Sequence, residues 1–252
     1  MHAATLDHLA MALDPAILME AAGFTPDPWQ YALLRSTSRR LLVNVSRQSG
    51  KSTSTAALAL HGALFDPGSL TLLVSASLRQ SGELFRKVVA FYAALGKPVD
   101  AVEDNAQSLA LANGSRIVSL PGNPDKVRGF SAPRLVVIDE AAQVDDAMFA
   151  ALSPMMAISH GRLIELSTPY GRRGHFFEAW TADGDDWERI RLKATENPRM
   201  DPAFLAEERR ILGARWFGQE YECEFHDTVG QVFSSESIEA AMDNAIQPLF
   251  PE

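Results

Sequence analysis

The chain has 252 residues, 46% of them apolar, which is enough for one or two domains with a substantial buried core. Its 23 basic and 32 acidic side chains give a formal net charge of −9, which argues against a protein that simply coats nucleic acid. A single cysteine, Cys223, excludes an intramolecular disulfide and fits a cytoplasmic protein, no apolar run approaches the roughly 18 residues of a membrane span, and the N-terminus lacks a basic signal-peptide start.

In chain order, residues 6–22 read as a helix, with Leu6, Leu9, Leu13, Ile17 and Leu18 near helical spacing. Thr25-Pro26-Asp27-Pro28 is a turn, and Pro28-Trp29 opens a second helix. "RLLVNV" (40–45) is a short branched run, the pattern of a buried strand, and 51–65 is a helix closed near Asp66-Pro67-Gly68. A strand follows at 69–77. A helix at 81–95 aligns Leu84, Val88, Phe91 and Leu95 on one face. Residues 108–120 alternate on both sides of Asn113-Gly114, a hairpin signal. The rest reads as a strand at 134–140, a helix at 146–157, a strand at 161–167, a helix at 174–182, a strand at 187–195 and one or two helices within 202–222. Strands alternating with helices imply an α/β fold, a mainly parallel sheet flanked by helices. Residues 225–252 lose strong apolar periodicity and read as the start of a linker, where the chain is expected to be cut.

Two stretches carry chemistry. "SRQSGKST" (46–53) lies between a strand and a helix and ends in Gly50-Lys51-Ser52, but Val45 stands where the consensus G-x-x-x-x-G-K-[ST] has its first glycine. In a phosphate-binding loop, backbone N–H groups and the helix N-terminus cradle the anion. Lys51 would neutralise the β and γ phosphates, and Ser52 would ligate Mg²⁺. The other reading is a chance GKS opening an ordinary helix. "RLVVIDE" (134–140) is an apolar strand ending in Asp139, a candidate Mg²⁺ residue, and Glu140, a candidate to polarise the attacking water. Its plainer reading is a strand capped by two exposed acids. Together the two stretches supply most of what phosphoryl transfer to water requires.

In this order the motifs resemble the large terminase subunit of tailed bacteriophages, over roughly residues 26–236. "PDPWQ" (26–30) resembles that family's adenine-recognising Q motif, with Trp29 and Gln30 at the base. "SRQSGKST" is similar to its deviant Walker A, and so assigns Ser46, Arg47, Gln48, Ser49, Gly50, Lys51, Ser52 and Thr53 to the nucleotide. "VVIDEAAQ" resembles its Walker B with catalytic Glu140, and "VRG" (127–129) places Arg128 as a finger completing an active site, in cis or in trans. "LSTPYGRRGHFFEAW" (166–180) resembles its coupling motif at Ser167, Thr168 and Pro169, with Gln143 a weaker candidate to assist, and "ENP" (196–198) and "QEYECEFHDTVGQVFS" (219–234) resemble the way out of the ATPase domain. Arg47 would touch phosphate or sense its loss.

The resemblance implies a P-loop NTPase of the ASCE type that hydrolyses ATP with Mg²⁺ to translocate double-stranded DNA into a procapsid. It divides the chain into an N-terminal helical segment (1–25), an ATPase core (26–200) and a small helical lid or linker subdomain (201–252) leading to an absent nuclease domain. Expected partners are double-stranded DNA, a portal protein, a small terminase subunit and further copies in a ring, with no membrane, in the host cytoplasm. No nuclease activity is expected, because Asp227 and Asp243 stand in no credible metal cluster. His160, His175 and His226 read as structural or exposed. Two alternatives are a helicase-like nucleic-acid ATPase and a binding module with a vestigial nucleotide site. The basic clusters Arg35/Arg39/Arg40/Arg47, Arg172/Arg173 and Arg189/Arg191/Lys193 read as solvated surface.

Overall fold

The computed structural model describes residues 2–227, together with Ser237 and Ala241. The Asp243 considered above and most of the expected linker lie outside the described residues.

The N-terminal segment is two helices rather than one, α1 (His2–Leu13) and α2 (Pro15–Ala21). Pro15 has no N–H to continue α1 and suits the first turn of a new helix. Asp14 caps that turn by accepting from the Ala16 N–H at 2.9 Å. Of the residues whose spacing marks the helix, Leu6, Leu9 and Leu13 are exposed and Leu18 is buried, together with Ala16 and Met19 of α2. The next elements are α3 (Pro28–Arg35), β1 (Arg40–Val45), α4 (Lys51–Phe65) and β2 (Leu70–Ser75). α5 (Leu78–Ala94) starts three residues earlier than its apolar spacing suggests, because Ser77 and Gln80 form a capping box. β3 (Ala101–Asp104), exposed and acidic, carries no apolar pattern and is absent from the sequence expectations. β4 (Ser108–Leu111) and β5 (Arg116–Pro121) are the expected hairpin. The chain continues with α6 (Pro124–Val127), β6 (Leu135–Asp139), α7 (Asp146–Ser159), β7 (Arg162–Ser167), α8 (Gly174–Thr181) and β8 (Glu188–Leu192). α9 (Pro202–Tyr221) is kinked where Gly213 leaves helical geometry at φ 74°, ψ 168°.

The strands form one sheet in the order β3-β4-β5-β2-β6-β7-β1-β8. From β5 to β8 each neighbouring pair is parallel. β4 pairs antiparallel with both β3 and β5. A parallel sheet must be covered on both faces, and it is. Leu41, Val43, Val45, Leu73 and Ile164 pack beneath α2 to α5. Leu42, Leu72, Val136, Ile138 and Leu163 face α7 and α8 on the other side. A separate small cluster joins Ala194 to Leu205, Phe217 and Tyr221 of α9. The expected α/β architecture is therefore present. The carboxyl ends of β1, β7 and β6 come out side by side at one edge, where ligands of open α/β sheets gather.

Candidate active site

The 46–50 loop makes its turn without the missing glycine. Val45 is still strand, fully buried in the core. The left-handed positions come later, at Gln48 (φ 62°) and Gly50 (φ 85°). Ser46 donates its N–H to the Leu192 carbonyl of β8 at 3.0 Å, which anchors the loop at its start. Ser49 Oγ donates to the Ser46 carbonyl at 2.7 Å and lies 2.8 Å from Ser46 Oγ. Gly50 is required twice over: its φ is positive, and an added Cβ would sit 2.8 Å from Gln30 Nε2. Lys51 then opens α4, so the loop ends in a helix N-terminus with the N–H groups and positive dipole end that hold anions.

The acids of β6 meet this loop. Ser52 Oγ donates to Asp139 Oδ2 at 3.2 Å. Lys51, buried, donates from Nζ to the Val45 carbonyl at 3.2 Å. Burial pushes the Asp139 carboxyl above its ordinary range, against the pull of the Lys51 charge and of hydrogen bonds from Ser52 and the Glu140 N–H. Mg²⁺ typically takes one or two carboxylates with phosphates and water, and a cation there would oppose that upward shift. Ser52 and Asp139 fit that ion. Glu140 sits in the left-handed region (φ 54°, ψ 45°), uncommon for a residue with a side chain. Burial raises its carboxyl too, opposed by Lys51; Asp139 raises it, Arg47 lowers it and Glu220 raises it. A carboxyl that binds its proton more tightly is better suited to taking one from water.

β7 lies between these two groups in the sheet. Ser167 Oγ accepts the Ala142 N–H at 3.3 Å, two residues after Glu140. Thr168 and Pro169 are buried beside it. The expected coupling strand is thus bonded to the segment that carries the candidate catalytic acid.

The remaining candidates are placed less directly. Gln30 is buried and its amide is committed: Oε1 accepts the Asp27 N–H at 2.8 Å as a capping box, and Nε2 reaches the Gly50 carbonyl at 3.5 Å. Both edges expected to read adenine are occupied by this chain's own backbone. Trp29 is buried in the core with its indole N–H unpartnered. Thr53 Oγ1 accepts from Lys87 Nζ of α5 at 3.5 Å. Arg128 is exposed at the end of α6 and pairs with Asp125 at 3.2 Å. β5, which leads to it, is two strands from β6 and four from β1, or about 10 and 19 Å at ordinary strand spacing. Arg47 does not point into the loop; its guanidinium pairs with Glu220 near the end of α9. His175 contacts buried Glu165, and His226 pairs with Glu224.

Sequence reasoning misses Glu220 and Lys87. Glu220 lies 173 residues from its partner and Lys87 lies 34 from Thr53. Neither stands in a local pattern that marks it.

The sequence model of the family described as terminase large subunit, T4likevirus-type, N-terminal, matches residues 42–240, well over half the chain. The terminase large subunit of Escherichia phage T5 is 27% identical over 231 residues, spanning 86% of this chain and 52% of the relative. That of Thermus virus P23-45 is 28% identical over 251 residues, spanning 85% and 52%. The chain therefore spans about half the length of these curated relatives. Among solved structures, the large terminase ATPase domain of Thermus phage P74-26 superposes with a TM-score of 0.73 at 21% identity, over 82% of this chain and 96% of that one. The HK97 bacteriophage large terminase gives 0.66 at 17%, over 80% and 51%. These likenesses show the shared P-loop NTPase fold, and the sequence match shows the lineage: the chain belongs to the terminase large subunit family, in its N-terminal part.

Proposed function

We propose that this chain is the ATPase motor part of a DNA-packaging terminase, hydrolysing ATP to drive double-stranded DNA into a procapsid. The single observation that carries this reading is the 3.2 Å bond from Ser52, at the head of α4, to Asp139, at the tip of β6, with Lys51 alongside. A triphosphate bound there would lie against the loop N–H groups and the Lys51 ammonium. Ser52 and Asp139 would hold Mg²⁺, which when bound neutralises charge on the β and γ phosphates. Glu140 orients a water in line with the γ-phosphate and takes its proton. Arg47 adds a further positive charge once its guanidinium leaves Glu220.

Arg128 is set on the β5 side of the sheet, away from the 46–50 loop, so we read it as acting on the neighbouring copy of a ring. Ser167, with Thr168 and Pro169, transmits the state of the Glu140 segment to β7 and α8. The base is read near Trp29 and Gln30, with Gln30 giving up its Gly50 contact to do so. Partners follow from the family: DNA, a portal, a small terminase subunit and further copies of this chain in the host cytoplasm. We expect no nuclease activity from these residues. The relatives, named as terminase large subunits and as large terminase ATPase domains, support the motor reading over a helicase or a vestigial binding module.

The test is phosphate release at increasing protein concentration, for the wild type and Glu140→Gln. Turnover that requires Mg²⁺ and disappears in the variant, while the variant still binds nucleotide, supports the reading. Equal turnover in the two proteins would overturn the role of Glu140, and no turnover at any concentration or with DNA would overturn the ATPase itself.

A further inference from the structure

Arg47 is held from outside the loop. Its Nε pairs with the Glu220 carboxylate, and its own N–H donates to the Glu220 carbonyl at 3.2 Å. The two partners are not equally free. The Arg47 side chain is 63% exposed and the Glu220 side chain 15%. Glu220 is fixed further: Gln219 Nε2 donates to its Oε1 at 3.2 Å. The next residue, Tyr221, stacks on Phe217 at 5.1 Å and donates its hydroxyl to Glu208 at 2.9 Å, across the Gly213 kink. The last turn of α9 is therefore a built platform that presents one acid to one arginine.

That platform packs in its own small cluster, apart from the two sheet cores. Besides the two bonds to Arg47, it is tied to the site through Cys223, whose carbonyl accepts from Asn44 Nδ2 at 3.1 Å and whose Sγ donates to the Leu192 carbonyl at 3.2 Å. An exposed ion pair is a weak tie. A triphosphate offers the same guanidinium more charge and a better match to its fork of donors than one carboxylate does.

We propose that Glu220 is a positioning residue of the nucleotide site: its carboxylate holds the Arg47 guanidinium away from the phosphates, and the γ-phosphate takes Arg47 from it, freeing the last turn of α9. This rests on reading the 46–52 loop as an ATP site. The choice of γ over β is what the comparison of ADP with the ATP analogue tests.

The experiment uses the full chain and titrates ADP and a non-hydrolysable ATP analogue by calorimetry, with hydrogen exchange followed over residues 214–221. Glu220→Gln keeps the shape and removes the charge. It should tighten analogue binding by about two- to fivefold, the size of a surface ion pair, and change ADP binding by less than that. In an Arg47→Ala background the same substitution should have no further effect on affinity. The analogue, but not ADP, should speed exchange in 214–221 of the wild type, and in Glu220→Gln exchange should be fast without nucleotide. Unchanged or weaker analogue binding in Glu220→Gln, or an equal effect with Arg47 removed, overturns the proposal. So does an analogue that leaves exchange in 214–221 of the wild type unaltered. Glu220→Asp, which keeps the charge on a shorter side chain and so loosens its hold on Arg47, serves if Glu220→Gln fails to fold: it should bind ADP as the wild type does and the analogue more tightly than the wild type, and identical behaviour to wild type in affinity and exchange overturns the proposal. If the wild type binds no analogue, or Lys51→Ala binds it as well as the wild type, the ATP site itself fails and this inference falls with it.

Discussion

Ser52 and Asp139 stand 87 residues apart in sequence and are joined by one 3.2 Å hydrogen bond. The strands that deliver them are not neighbours; β7 lies between β1 and β6. The parallel register brings Asp139 level with Leu166 of β7, and Asn44 of β1 level with Ser167, so all three strands finish together. The helix N-terminus, the acids and the hydroxyls of β7 therefore share one end of the sheet. A chance GKS opening a helix elsewhere on the molecule would not be met by an acid of this kind.

Lys51→Ala tests the anion seat. A hydrogen bond to a charged group contributes about 1.5–3 kcal/mol, so nucleotide affinity should fall by roughly tenfold to a hundredfold. The Val45 carbonyl loses its donor as well, so a small drop in melting temperature is expected. Calorimetry at a temperature well below the melt separates the two effects. Unaltered affinity would remove Lys51 from the site.

Arg128→Ala tests the finger. Its ion pair with Asp125 is exposed on both sides, so its loss should shift stability by less than about 1 kcal/mol. Nucleotide binding should be retained, and turnover should fall by about 10³-fold or more if the arginine meets developing phosphoryl charge. Mixing it with Lys51→Ala is the arm that separates action in cis from action in trans. Each variant should be inactive alone. A finger acting across subunits restores some turnover in the mixture, where the intact Lys51 of one variant meets the intact Arg128 of the other. No recovery at any mixing ratio, with assembly verified, argues for action within one chain.

How far the sequence can be read follows from where each constraint lies. Asp139 and Lys51 are legible because the chemistry fixes their neighbours: apolar strand before, helix after. Val45 looks like a defect only until the strand is seen to include it, with the turn moved to Gln48 and Gly50. The alternation around Asn113-Gly114 marks the β4–β5 hairpin, since turn and pattern agree. β3 is invisible, because an exposed edge strand has no buried face to leave a mark. Pro15 is a visible signal that divides the first helix, and the apolar spacing across it hides that break. The stripe of Leu6, Leu9 and Leu13 has the right period but no surface to cover it among the described residues. Gln30 reads as a base reader, and its local role as a helix cap escapes that reading although Asp27 and Gln30 have the spacing of a capping box. Strand order, and so the meeting of Arg47 with Glu220, is a property of the folded chain that no local window contains.

Gly50→Ala should be worse than an ordinary loop substitution. The residue holds φ 85°, and its new Cβ would meet Gln30 Nε2 at 2.8 Å. Strain of this kind costs about 1–3 kcal/mol. The amide is the far end of a flexible side chain, but moving it breaks the cap that Oε1 makes at Asp27, worth about 1 kcal/mol. Gly50→Ala should therefore lower the melting temperature, and in a Gln30→Ala background its added cost should shrink. Additive losses in the double variant would mean that the two residues do not press on each other.

Glu165 carries the pH dependence best suited to a test. It is fully buried on β7, two residues before Ser167, and His175 of α8 approaches it at 3.1 Å. The His175 ring stacks on Phe149 of α7 at 3.8 Å, and its backbone N–H donates to Asp146 at 2.7 Å. Burial raises the Glu165 carboxyl, with His175 pulling against it. Burial pulls His175 down, but Glu165 outweighs it and the net shift is upward. Both groups thus bind protons more tightly folded than unfolded. Their contribution to stability is complete below the unfolded values and is lost as pH rises through the folded ones, above the ordinary 4.5 for Glu165 and 6.5 for His175. Glu165→Gln removes the carboxylate that must stay charged and buried at high pH. Its melting temperature relative to the wild type should rise steadily as pH goes from about 5.5 to about 8.5. A constant offset across that range would show that the pair does not titrate with folding. Activity followed in the same series asks more of β7: if Glu165 also orders the strand that carries Ser167, the variant should lose turnover at every pH while gaining stability at the alkaline end.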